Sequence, residues 1–195
     1  MPTAVPTSPL QAWVFGALSL VFFGFVLWAA RRRTPEAGGR TDPRSSAGII
    51  LQFVGIALTG FGAVRPTLPS LSLPGILGTF AVVLLMAGTI GLFASSTRAL
   101  GRNWSLVART RRDHELVRNG PYAWVRHPIY LGMCLFLLAF ATASGHWLQL
   151  VVAVPTFLVG TAIRMRLEDQ LLKRNFGKAF ELYRRSTPAL VPKIL

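Results

Sequence analysis

Two short runs of this 195-residue sequence concentrate the groups that do chemistry. The first is His114-Glu115-Leu116-Val117, followed closely by Gly120-Pro121-Tyr122-Ala123-Trp124-Val125-Arg126-His127-Pro128-Ile129-Tyr130-Leu131-Gly132. The second holds Arg164, Glu168 and Asp169 ahead of Phe176-Gly177. Asn119-Gly120-Pro121 marks a turn, and Pro128 suits the first turn of the apolar helix that follows, where its missing N–H costs nothing. Arg126 and His127 then stand at the mouth of that helix, whose partial positive charge, beside a guanidinium, suits a carboxylate or phosphate. Arg164 and Glu168 are four apart and share one face of a helix. Taken alone that pair reads first as a surface ion pair, and Arg126 with Tyr122, Trp124 and Tyr130 as an interfacial collar against lipid phosphates. A collar requires neither Gly-Pro-Tyr nor Arg-His-Pro-x-Tyr, and beside Arg126 and His127 the Glu168 carboxylate becomes a partner for a cationic or hydroxyl-rich ligand.

The elements that position these runs are apolar. The chain is 52% hydrophobic and only 14% charged, where a soluble domain carries about 25% charged residues. Twenty-one Lys and Arg against seven Asp and Glu leave a formal charge of +14, which with this apolar excess points to a membrane and its lipids rather than to nucleic acid. Uncharged stretches at Leu10–Ala30, Ala47–Val64, Leu73–Phe93, Ile129–Ser144 and Trp147–Ile163 predict five transmembrane helices, each about 1.5 Å per residue against a core of roughly 30 Å. The last two, separated by Gly145 and His146, form a hairpin over 129–163. Arg31, Arg32 and Arg33 follow the first span rather than precede it, which reads as an uncleaved anchor rather than a signal peptide.

Twenty of the basic residues fall in Arg31–Arg44, Arg98–Arg126 and Arg164–Lys193, leaving Arg65 alone for the other side. The positive-inside rule then places the N-terminus outside and the C-terminus in the cytoplasm, so both chemical runs share the cytoplasmic face. The spans carry no charge, and the second and third offer only Gln52, Thr59, Thr79 and Thr89 as polar groups, which argues against an ion or proton pathway. The two cytoplasmic pieces are too short for a doubly wound nucleotide-binding domain, and no metal site is expected. The expected organisation is three N-terminal transmembrane helices over 1–93, then a catalytic core over 94–195. Its pocket is built from the connection between the third and fourth helices and from the C-terminal helix. Gly177 ends or bends the last helix, leaving Phe180 and Tyr183 as an apolar side able to lie in the interface.

His-x-Leu-Val, Gly-Pro-Tyr, Arg-His-Pro-x-Tyr-x-Gly, then Arg-x-x-x-Glu and Phe-Gly, together resemble the isoprenylcysteine carboxyl methyltransferase family, related to membrane phospholipid methyltransferases. The likeness covers roughly Arg102 to Pro192, and the first three spans match only in being hydrophobic. It implies a methyltransferase core and S-adenosylmethionine as cofactor. The family's cofactor contacts carry over to His114, Glu115, Leu116, Val117, Tyr122, His127, Pro128, Ile129, Tyr130 and Glu168. Arg126 joins them as a candidate for the methionyl carboxylate, and Arg164 matches the arginine that faces the methyl acceptor, so Arg164 and Glu168 are the expected catalytic pair. Two departures from the family pattern are Glu168-Asp169 in place of a run of glutamates and Phe180 in place of a tyrosine. The acceptor is expected to be lipophilic or lipidated and to enter from the bilayer. A carboxylate acceptor needs no base, whereas an amine must lose a proton to His127 or Glu168. Two other readings are a nicotinamide-dependent membrane reductase of sterol-like substrates and a non-catalytic bundle whose basic rim binds anionic lipid.

Overall fold

The computed structural model of the chain describes residues 4–31, 43–101, Trp104 and 115–190. Among these, all regular secondary structure is helical: α1 (Pro9–Arg31), α2 (Pro43–Thr59), α3 (Leu73–Leu100), α4 (Pro128–Ser144), α5 (Leu150–Phe176) and α6 (Lys178–Ser186), with a 3-10 turn at Gly120–Ala123 before α4. Helices α1, α3 and α5 are long and apolar enough to cross a membrane, while α2 and α4 are apolar but shorter, at 17 residues each. The structure thus supports three of the five expected spans by length and composition.

Two boundaries differ from the sequence expectation. α2 stops at Thr59 rather than Val64, because Gly60 and Gly62 (φ +126°) turn the chain away while it is still apolar. α3 and α5 both run on past their apolar stretches, to Leu100 and Phe176, so that Arg164, Glu168 and Asp169 lie on one unbroken helix with the apolar residues before them.

Small residues set the packing. α2 lies antiparallel against α5, where a Cβ on Gly55 would stand 2.8 Å from that of Phe157 and a Cβ on Gly160 2.6 Å from the Gly48 carbonyl. Gln52 donates to Thr161 Oγ1 across the same seam at 2.9 Å. α4 lies antiparallel on α3, where Thr89 Oγ1 donates to the Gly132 carbonyl at 3.0 Å and a Cβ on Gly132 would press on Leu92. α1 closes this pair through an aromatic cluster: Phe22 lies 5.4 Å from Phe93 and 5.7 Å from Phe136 between ring centroids, and Phe93 meets Trp104 edge-on. The extensive contacts therefore join α1, α3 and α4 on one side and α2 and α5 on the other, and α4 touches α2 and α5 more sparingly.

At one end, Val5 N–H donates to the Gly145 carbonyl and Thr7 N–H to that of Arg65, while His146, fully buried, faces the Thr59 carbonyl at 3.1 Å. Gly145 caps α4 in the left-handed region (φ +74°), and a side chain there would strike the Val5 carbonyl. The opposite end brings together the C-terminal ends of α3 and α5, the start of α4, the 3-10 turn and α6.

Candidate active site

The two chemical runs meet at this second end. Pro128 occupies the first turn of α4 with His127 at its N-cap position, as expected. Gly132, two residues after Tyr130, lets α4 approach α3 closely. From the other run, α5 presents Arg164, Glu168 and Asp169.

Tyr130 donates its hydroxyl to Glu168 Oε1 and accepts from Arg164 Nε at 2.8 Å. Arg164 Nη2 stands 3.4 Å from the same Glu168 oxygen. His127 lies between the two carboxylates, with Nδ1 3.4 Å from Glu168 Oε2 and Nε2 3.1 Å from Asp169 Oδ1. Arg126 pairs through Nη1 with Asp169 and donates from Nε to the Thr187 carbonyl at 3.0 Å. Two further backbone bonds, Arg126 N–H to the Pro188 carbonyl and His127 N–H to that of Ala189, strap the C-terminal segment beside the start of α4.

The electrostatics follow from burial and pairing. Burial alone would lower the pKa of His127, but its hydrogen bonds to Asp169 and Glu168 outweigh that and raise it above the ordinary imidazole value. An imidazolium donates from both nitrogens, so only the charged ring satisfies both carboxylates at once. Tyr122 is buried in the 3-10 turn, where burial and the nearby Glu168 charge hold its hydroxyl protonated. Its carbonyl accepts from Tyr183 at 2.7 Å, and burial pushes the Tyr183 hydroxyl up to about 12.

Of the site residues expected from the sequence, Tyr122, Arg126, His127, Pro128, Tyr130, Arg164 and Glu168 converge here. Ile129 turns aside and packs against the aromatic cluster. Leu116 and Val117 are half-buried on the approach to the 3-10 turn, Glu115 is exposed, and His114 lies outside the described residues. Phe180 and Tyr183 are corrected: both are buried within the protein, 1% and 6% exposed, because Tyr183 bonds α6 to the Tyr122 carbonyl of the 3-10 turn and Phe180 packs edge-on against Tyr183, rather than both facing the membrane interface. Asp169 is the principal residue not anticipated, although it adjoins Glu168. Among the described residues no group of three or more His, Cys, Asp or Glu could hold a metal ion.

The model of the phospholipid methyltransferase family matches residues 77–179, beginning within α3, some 25 residues before the motif resemblance. The chain is 34% identical over 108 residues to the nickel-cobalt-cadmium resistance protein NccN of Alcaligenes xylosoxydans xylosoxydans, covering 54% of this chain and 50% of that one. It is 26% identical over 146 residues to the protein-S-isoprenylcysteine O-methyltransferase of Schizosaccharomyces pombe (70% and 62%), and 38% identical over 77 residues to methanethiol S-methyltransferase 2 of Bradyrhizobium diazoefficiens (37% and 27%). The chain thus spans about half to three fifths of the length of the first two. The family match runs from α3 through α4 to the start of α6 and contains both halves of the charged cluster, and on that extent the chain belongs to the phospholipid methyltransferase family.

Proposed function

We propose that the chain is an integral membrane methyltransferase that uses S-adenosylmethionine to methylate a lipophilic acceptor where α3, α4 and α5 converge. The observation that carries this reading is the joining of Arg126, His127 and Tyr130 to Arg164, Glu168 and Asp169 in one hydrogen-bonded cluster at the start of α4. The donor set suits the cofactor. Two carboxylates beside tyrosine rings suit an ammonium, a sulfonium and ribose hydroxyls, and Arg126 with the first turn of α4 suits a carboxylate.

The cofactor supplies a methyl group already activated on a cationic sulfur, so the protein's work is positioning, charge placement and exclusion of water. Glu168 holds an ammonium or ribose hydroxyl, with Tyr130 and His127 fixing the carboxylate's direction. Asp169 keeps Arg126 turned toward the mouth of α4. Arg164, 8% exposed, faces the acceptor. His127 already donates toward two carboxylates and is poorly placed to take a proton, which favours an acceptor that needs no base, such as a carboxylate. We read all five apolar helices as crossing the bilayer, α2 and α4 at about 25 Å each. The charge distribution supports an N-terminus outside and a site on the cytoplasmic face.

The test supplies detergent-purified protein with methyl-labelled S-adenosylmethionine and three acceptors: S-farnesyl-N-acetylcysteine, dodecanethiol and phosphatidylethanolamine. Label appearing in the farnesylated acid as a base-labile ester supports the reading. No transfer to any acceptor, with no binding of the donor, overturns it in favour of a lipid-binding bundle.

A further inference from the structure

We propose that the first turns of α2 complete the acceptor side of the site, and that Ser45 is an acceptor-binding residue that donates to the same acceptor carboxylate as Arg164. This rests on the methyltransferase reading. The starting observation is a stripe. Over 44–59, Ser45, Gly48, Gln52, Gly55 and Thr59 are the buried residues of α2, recurring every three or four positions. Gly55 faces Ala153 and Phe157, Gln52 bonds Thr161, and Gly48 faces Gly160 and Arg164. One more turn back along α2, and forward along the antiparallel α5, carries the stripe to Ser45, opposite the turn of α5 that begins at Arg164.

The polar members of this stripe differ in one respect. Gln52 is bonded to Thr161, and Thr59 Oγ1 donates to the Gly55 carbonyl at 3.1 Å. Ser45, 0% exposed, has a hydroxyl without a hydrogen-bond partner. A buried hydroxyl left unpaired is costly, and it is retained where something else satisfies it. The position in the first turn of a 17-residue helix adds a partial positive charge, which suits an anionic oxygen.

Gly48 supplies the second, independent link. A Cβ there would lie 2.7 Å from Arg164 Cγ, so the stem of Arg164 rests on the α2 backbone while its Nε reaches Tyr130 on α4. The arginine therefore spans from α2 to α4, and its α2 side is the one opposite Tyr130 and the start of α4, which carries Arg126, His127 and the C-terminal strap. An acceptor carboxylate meeting Arg164 on that side finds the Ser45 hydroxyl and the α2 N-terminus. With one oxygen held there, the other forms the bond to the methyl carbon as the carbon–sulfur bond breaks. The electron pair leaves on sulfur, and no proton moves.

The test compares wild type with Ser45→Ala in detergent, using S-farnesyl-N-acetylcysteine as the probe, S-adenosylhomocysteine for cofactor affinity, and thermal unfolding without ligands. The expected result is an acceptor KM raised about tenfold or more, from loss of a hydrogen bond to a charged group. Cofactor affinity should stay within twofold, and Tm should be unchanged or higher because a buried unpaired hydroxyl has been removed. The same acceptor should raise the Tm of the wild type by more than that of the variant in the absence of methyl donor. An unchanged KM with a raised Tm makes Ser45 a packing residue and overturns the inference alone. A weakened cofactor affinity with unchanged KM moves Ser45 to the cofactor and equally overturns it. A wild type that neither binds cofactor nor transfers methyl overturns the parent reading, and a wild type active only on the thiol or the amine overturns the carboxylate.

Discussion

Replacing Asp169 with Asn removes the charge that the structure sets against both Arg126 and His127 while keeping shape. The side chains of Arg126 and His127 are 9% and 5% exposed, and that of Asp169 is 22% exposed. Breaking a fully buried pair costs about 3–5 kcal/mol. Here the carboxylate is partly hydrated, the amide still offers an oxygen, and Arg126 keeps the Thr187 carbonyl, so the expected loss is about 2 kcal/mol. For a chain of this length that lowers Tm by about 4–8 °C. The assay is thermal unfolding followed by tryptophan fluorescence in detergent, with Glu181→Gln as control. Glu181 pairs with Lys173 at 2.6 Å, but the lysine is 60% exposed, so its loss should leave Tm unchanged. If Asp169→Asn behaves like Glu181→Gln, the cluster is a surface arrangement and Arg126 and His127 are not held by it.

Three further outcomes follow from the same geometry. Because the folded His127 has a raised pKa, its contribution to stability is fully present below the ordinary imidazole value of about 6.5 and is lost as pH rises through the folded value; the Tm advantage of wild type over His127→Gln should be larger at pH 6 than at pH 9, and a gap that widens with pH would contradict the pairing. Gly160→Ala should destabilise by about 1–3 kcal/mol, since its Cβ would lie 2.6 Å from the Gly48 carbonyl and 3.0 Å from the Gln52 nitrogen, whereas Gly16→Ala, with nothing within 4 Å, should not; chemical unfolding separates the two. Reporter fusions after Arg33 and after Leu195 should both read cytoplasmic, and an external reading at either removes the shared face on which the site depends.

The helices were legible because lipid-facing segments must be apolar, but charge-free runs mark the thickness of an apolar layer rather than helix ends. α1 matches its run within one residue at each end, Pro9–Arg31 against Leu10–Ala30. α3 instead continues through Ser95, Ser96, Thr97 and Arg98, with Ser95 and Thr97 bonded back to the Gly91 and Phe93 carbonyls. In the site, Arg164 and Glu168 were legible from their four-residue spacing. Asp169 lies about 100° further round the helix, and its partners are more than 40 positions away in sequence, so no local pattern announces it. The strap from Thr187 to Ala189 acts through backbone carbonyls and leaves no side-chain signature. Gly48 reads in the sequence only as a small residue in an apolar run, and its role appears once Arg164 is seen resting on it.

The proposed function requires the Arg126–His127–Tyr130 and Arg164–Glu168–Asp169 cluster to be a cofactor site. Calorimetric titration of detergent-purified wild type and Glu168→Gln with S-adenosylhomocysteine, and of wild type with NADPH, tests it most directly. Saturable one-to-one binding of S-adenosylhomocysteine is expected, weakened about ten- to a hundredfold in Glu168→Gln by loss of a charge-assisted contact of about 1.5–3 kcal/mol, with no heat from NADPH. Equal affinities for the two proteins, or binding of NADPH in place of S-adenosylhomocysteine, would contradict it.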